Sequence, residues 1–193
     1  MKKEKTPQKG FTLIETLVAV ALLSIAVVAP MSLASKSLSS ARYARDQITS
    51  FYLAQEAIEA LRSIRDAQIL LIAQSASGAP DIFGPIPHDN SPFIIDARKT
   101  DPGSAITPCS GGACPPLQTN HSLYGYESGW ENTHFTRTVR ACFIQSNGSC
   151  ASAATGELRV SVTVEWQAGP IQKRTFSISE NLYRWVVDGS AQE

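Results

Sequence analysis

Three patterns of apolar and polar positions follow one another along this chain. The first is apolar on every side. From Phe11 to Ala29 the sequence runs FTLIETLVAVALLSIAVVA, and Glu15 is the one charged residue between Phe11 and Ala34. As a helix, such a run is long enough to cross a bilayer, which takes about 20 residues. The second pattern is helical. Ala44, Ile48, Phe51, Ala54, Ile58, Leu61 and Ile64 recur at steps of three and four, with Arg42 just before them and Arg45, Asp46, Glu56, Glu59 and Arg62 among the residues between them. This is the stripe of an amphipathic helix, and it predicts a partner in the same chain. No proline falls between Pro30 and Pro80, so one helix is expected from about Phe11 to about Ser75.

The third pattern has period two. Phe135, Val139, Ala141 and Phe143 point one way, and Thr136, Thr138 and Arg140 the other. Leu158, Val160, Val162, Val164 and Trp166 alternate with polar neighbours, and Phe176, Ile178, Glu180 and Leu182 make a less regular third run. Ala168-Gly169-Pro170 supplies a turn between the last two. Three consecutive strands with one apolar face predict an antiparallel meander, which the helix stripe would cover. The segment from Gly78 to His134 is punctuated by Pro80, Pro85, Pro87, Pro92, Pro102, Pro108, Pro115 and Pro116. It reads as an irregular connector with short strand candidates at Phe93–Ile95 and Ser122–Tyr126. The expected fold is α+β: a long N-terminal helix packed on a small antiparallel sheet. Its parts are a leader (1–10), an apolar helix (11–34), an amphipathic half (35–75), a connecting region (76–134) and the sheet (135–193).

Charge sharpens this picture. Lys+Arg and Asp+Glu both total 17 in the 193 residues, and this balance gives no reason to expect a nucleic-acid partner. The first nine residues nevertheless hold Lys2, Lys3, Lys5 and Lys9 against Glu4 alone. By the positive-inside rule this basic leader stays in the cytoplasm and the remainder lies outside. The four cysteines, Cys109, Cys114, Cys142 and Cys150, then sit in an exported region, where an even number suggests two disulfides. Zinc is the weaker alternative, because Cys142 and Cys150 are too far apart to match the usual ligand spacing. A Cys142–Cys150 bridge would staple the turn around Asn147-Gly148, and Cys109–Cys114 would close a small loop around Gly111-Gly112; other pairings stay open.

Catalytic patterns are missing. His88, His121 and His134 form neither H-x-x-H nor H-E-x-x-H, and no serine sits in a G-x-S-x-G elbow. Asp81, Asp89, Asp96 and Asp101 lack the spacing of an EF-hand loop and read as solvated loop residues. Tyr124, Tyr126 and Trp130 read as packing the connector onto the sheet rather than as an exposed patch. No cofactor or resident metal is expected.

A basic leader followed by an apolar run also describes a secretory signal, with Ser32-Leu33-Ala34 as a cleavage site. The run is too long for that, and Glu15 has no use in it. A carboxylate inside a membrane segment costs on the order of 2.5–3.5 kcal/mol even on insertion scales, and is a functional candidate with a partner to be named. A cut between Gly10 and Phe11 would create an α-amine four residues before Glu15, able to neutralise Glu15 of a neighbouring subunit.

Lys9-Gly10-Phe11-Thr12-Leu13-Ile14-Glu15 resembles the processing site of type IV prepilins and pseudopilins: a basic leader ending in Gly, then Phe, then an apolar helix with Glu as its fifth residue. The resemblance is close over about Lys9 to Ser40 and architectural beyond. It implies cleavage after Gly10 and N-methylation of Phe11 by a prepilin peptidase, a bend of the helix at Pro30, and assembly into a filament through Glu15. It also implies residence in the inner membrane, and partnership with other pilin or pseudopilin subunits and an assembly platform. Within the family the chain looks like a minor pilin. Its last cysteine, Cys150, is followed by a further hairpin, and Phe135-Thr136-Arg137-Thr138-Val139 and Trp166-Gln167-Ala168-Gly169 are similar to segments of minor pilins of the pilus-modification type. A minor pseudopilin of a type II secretion system is the related alternative.

Overall fold

The structure is a computed structural model that describes residues 10–74, 81–151, 155–168 and 172–185. The leader residues 1–9, and Gly169 and Pro170 of the expected turn, lie outside the described residues. The chain divides into one unit up to Arg45 and a second from Asp46 onward. Helix α1, Leu13–Gln74, supplies the first unit and the opening element of the second.

In the second unit the period-two runs become β6 (Phe135–Phe143), β7 (Glu157–Ala168) and β8 (Gln172–Tyr183). They pair antiparallel in sequence order, with Val139 opposite Val162 and Val162 opposite Ile178. The meander is widened beyond the sequence expectation. Strand β1 (Phe93–Ile95) pairs with β6, and β2 (Ile106–Pro108) pairs with β1, giving the order β2-β1-β6-β7-β8. A four-residue helix, α2 (Pro102–Ala105), joins β1 to β2. Further on, β3 (Gln118–Thr119), β4 (Tyr124–Gly125) and β5 (Glu131–Asn132) form a second small sheet in the order β4-β3-β5. The candidate strand at Ser122–Tyr126 therefore shrinks to its middle. Pieces of two or three residues are too short to show a period, and only the wholly apolar Phe93-Ile94-Ile95 matches its strand from end to end.

The core lies between α1 and the inner face of the larger sheet. Leu158, Val160, Val162, Val164 and Trp166 are all buried, as their alternation requires. The helix meets them in a rotated phase. Ala54, Ile58, Leu61 and Ile64 of the expected stripe are buried, joined by Leu53 and Ala57, whereas Ala44, Ile48 and Phe51 are exposed. The steps from Ala44 to Ile64 average about 3.3 residues against 3.6 per helical turn, so the stripe drifts off one face before it reaches Ile64.

Candidate processing and assembly segment

Gly10 and Phe11 precede the helix and are exposed. A β-carbon added to Gly10 would meet nothing within 4 Å, so the chain's own packing makes no demand for glycine there. Thr12 and Glu15 then close the helix N-terminus. The Thr12 N–H donates to Glu15 Oε2 at 3.5 Å and the Glu15 N–H donates to Thr12 Oγ1 at 3.4 Å. This reciprocal pair is a capping box, in which two backbone donors with no intrahelical partner are satisfied by side chains. Its signature, Thr-x-x-Glu before an apolar run, is legible in the sequence but was read only as an intramembrane acid. Glu15 is thus held at the helix start, about one turn from Phe11.

Every described residue from Leu13 to Leu33 is exposed. A continuous apolar surface of that extent is not stable in water and marks a membrane or protein contact. The helix is long and apolar enough to cross a membrane. It runs unbroken through Pro30; termination of the helix at this proline is therefore not what the backbone does.

The second unit is built around two polar clusters, centred on Arg137 and Asp96. Arg137 is the first. It sits on β6 in the apolar phase, between Phe135 and Val139, with 0% of its surface exposed. Nη1 donates to the Leu53 carbonyl at 2.9 Å and to Glu56 Oε2 at 2.7 Å, and Nη2 donates to the Ile95 carbonyl at 2.6 Å. One side chain thereby ties helix α1, β1 and β6 together. The signal was present: a cation where the alternation calls for an apolar residue needs a buried acceptor set.

Asp96 is the second, and its reading as a solvated loop residue is corrected: it is buried. Arg98 grips it with Nε to Oδ1 at 3.0 Å and Nη2 to Oδ2 at 2.6 Å. Burial pushes the Asp96 carboxyl up, but the Arg98 guanidinium and the N–H groups of Arg98 and Tyr126 together outweigh it and hold the carboxyl below its ordinary value. Arg98 also stacks over Trp130, 4.3 Å from the ring centroid. Gly125 makes room for it, since a β-carbon there would stand 2.5 Å from Arg98 Nε. Tyr124 and Trp130 are half-buried, in keeping with a packing role.

Cys109 is bonded to Cys114, and Cys142 to Cys150. Gly148, at φ 80°, turns the chain inside the second loop. Among the described residues no group of three or more His, Cys, Asp or Glu side chains is arranged to hold a metal ion.

A family model described as the prokaryotic N-terminal methylation motif matches residues 5–29. No curated protein and no solved structure matches the chain. The match covers Gly10, Phe11, the capping box and most of the exposed apolar helix. It indicates a prepilin-peptidase substrate that assembles with other pilin subunits. The fold, an apolar N-terminal helix continuing over an antiparallel sheet, agrees with a type IV pilin-like architecture. The chain carries at residues 5–29 an N-terminal methylation motif like that of type IV prepilins and pseudopilins, which supports a processed subunit similar to theirs.

Proposed function

We propose that this protein is a minor pilin: a non-enzymatic subunit of a type IV pilus or related filament. It is cut after Gly10, N-methylated at Phe11, held in the inner membrane by residues 11–34 with its head outside the cytoplasm, and extracted into a filament by an assembly platform. The observation that carries the reading is the methylation motif at residues 5–29, which runs into a helix whose described residues from Leu13 to Leu33 are all exposed. In the membrane, Glu15 caps its own helix; in the filament, the new amine of Phe11 on an incoming subunit neutralises Glu15 of one already assembled. The presence of Glu15 favours a position with another subunit above it rather than the extreme tip. A bend at Pro30 would adjust the packing of the apolar half against its neighbours. Mass spectrometry of the membrane-derived protein tests the reading: the mature N-terminus is expected to be N-methyl-Phe11. An N-terminus near Ser35 would show an ordinary signal peptide and sink the proposal.

A further inference from the structure

A groove of about 550 Å³ lies between α1 and β4, lined by Thr49, Tyr52, Leu53, Glu56 and Glu59 of the helix and by Tyr124 of the strand. All of these residues belong to the second unit. The walls are mostly apolar. Tyr52 is 63% exposed. Tyr124 is half-buried, with its ring set edge-on to Phe135 at a centroid distance of 6.5 Å. Two tyrosine rings thus border a space that is open to water.

Both charged residues of the lining are acids. Glu56 and Glu59 stand three apart on α1, so their side chains are neighbours on the helix surface. Glu56 accepts from Arg137 through Oε2 at 2.7 Å, and Glu59 accepts from Arg62 through Oε1. Their other oxygens, Glu56 Oε1 and Glu59 Oε2, accept no hydrogen bond among the described residues. Arg62 is also shared with Glu180. Within this linked set three carboxylates divide two guanidiniums, which leaves one negative charge without a cation of its own. The two acids remain open to a ligand, since their side chains are 38% and 65% exposed.

Aromatic faces and carboxylate oxygens in one groove select a cation. Its kind follows from the spread of the acids. An ammonium is a compact and strongly hydrated point charge, whereas a guanidinium is planar, more weakly hydrated and carries five donors in a fork. The planar group can lie against a tyrosine ring while its edge reaches oxygens of two carboxylates. The volume falls in the range of about 300–1,000 Å³ that holds a molecule larger than one side chain, so flanking backbone also has room. We propose that this groove binds an arginine side chain of a partner polypeptide. The guanidinium packs against Tyr52 and Tyr124 and donates to Glu56 and Glu59, and Leu53 meets the apolar stem. The site is complete within the second unit and holds whether or not the chain enters a filament.

The test titrates the full chain in detergent, with its tyrosine rings isotope-labelled, against a capped Ala-Arg-Ala peptide, followed by NMR. Of the five tyrosines, Tyr52 and Tyr124 are expected to shift most, and Tyr43 and Tyr183 not at all. The same peptide with citrulline in place of arginine, alike in shape but uncharged, should not bind. Tyr52→Ala should weaken binding at least about threefold and Tyr52→Phe should retain it, because the ring face holds the cation. Glu59→Gln should weaken binding at least about twofold and lessen its dependence on salt. Both positions are exposed, so the urea midpoint of each variant should match the wild type. Equal binding of the citrulline peptide, shifts confined to other tyrosines, indifference to Tyr52→Ala, or no binding at all would overturn the proposal. So would tetramethylammonium or a capped Ala-Lys-Ala peptide that binds as tightly as the arginine peptide.

Discussion

Arg137 occupies a position where period two calls for an apolar side chain, and its three acceptors come from two other elements, α1 and β1. Removing it leaves the Ile95 carbonyl without its buried donor and Glu56 without its cation. Breaking one partner of a buried pair costs about 3–5 kcal/mol. Glu56 is 38% exposed on its side chain and can rehydrate, so Arg137→Ala is expected at the low end, about 3 kcal/mol. Urea unfolding of the purified chain checks this; an unchanged midpoint would show that the contacts are incidental. Asp96 gives a pH dependence. Its folded-state value is depressed, so the stability it contributes is complete above the ordinary carboxylate value of about 3.9 and is lost as pH falls through that value and below. The urea midpoint should therefore drop between about pH 5 and pH 3, and Asp96→Asn should flatten that slope while lowering the midpoint at neutral pH. A slope unaltered by the substitution would assign the acid sensitivity to other groups.

Helix α1 does different work along its length. Its N-terminal half needs an apolar surface and one acid; from Ser50 onward it needs a face that fits β6 and β7. Glu15→Val tests the first half. Loss of the capping box costs about 0.5–2 kcal/mol of helix-end stability, too little to prevent an apolar segment from inserting. The variant is expected to be cut after Gly10 and to stay in the membrane, but to be poorly incorporated into sheared filaments. Equal recovery of variant and wild type would falsify the role given to Glu15. In the second half, the sequence stripe had the right period and the wrong phase at its start. Ile48 and Phe51 were assigned to the core because the pattern of one helix does not say where its partner begins. The sheet decides that, and it leaves these residues at the edge beside β8.

At the scale of the molecule, the division at Arg45 and Asp46 leaves the whole buried face of α1 with the sheet. A chain truncated before Ser35 keeps that face and both disulfides, and loses the apolar run. It is expected to be soluble, monomeric and cooperatively unfolded; aggregation or a missing transition would contradict the helix-on-sheet core. The sequence by itself determined the long apolar N-terminal helix, the methylation motif, the α+β class and the inner faces of β6 and β7. Those features rest on local chemistry: apolar length, a fixed motif, and side chains that alternate because the backbone does. Only the tertiary structure decided that β1 and β2 widen the sheet, that Asp96 is buried with Arg98, and that Arg137 joins three elements. Each of those depends on which segments meet, and partners at separations such as the 84 residues between Leu53 and Arg137 leave no trace in any local period.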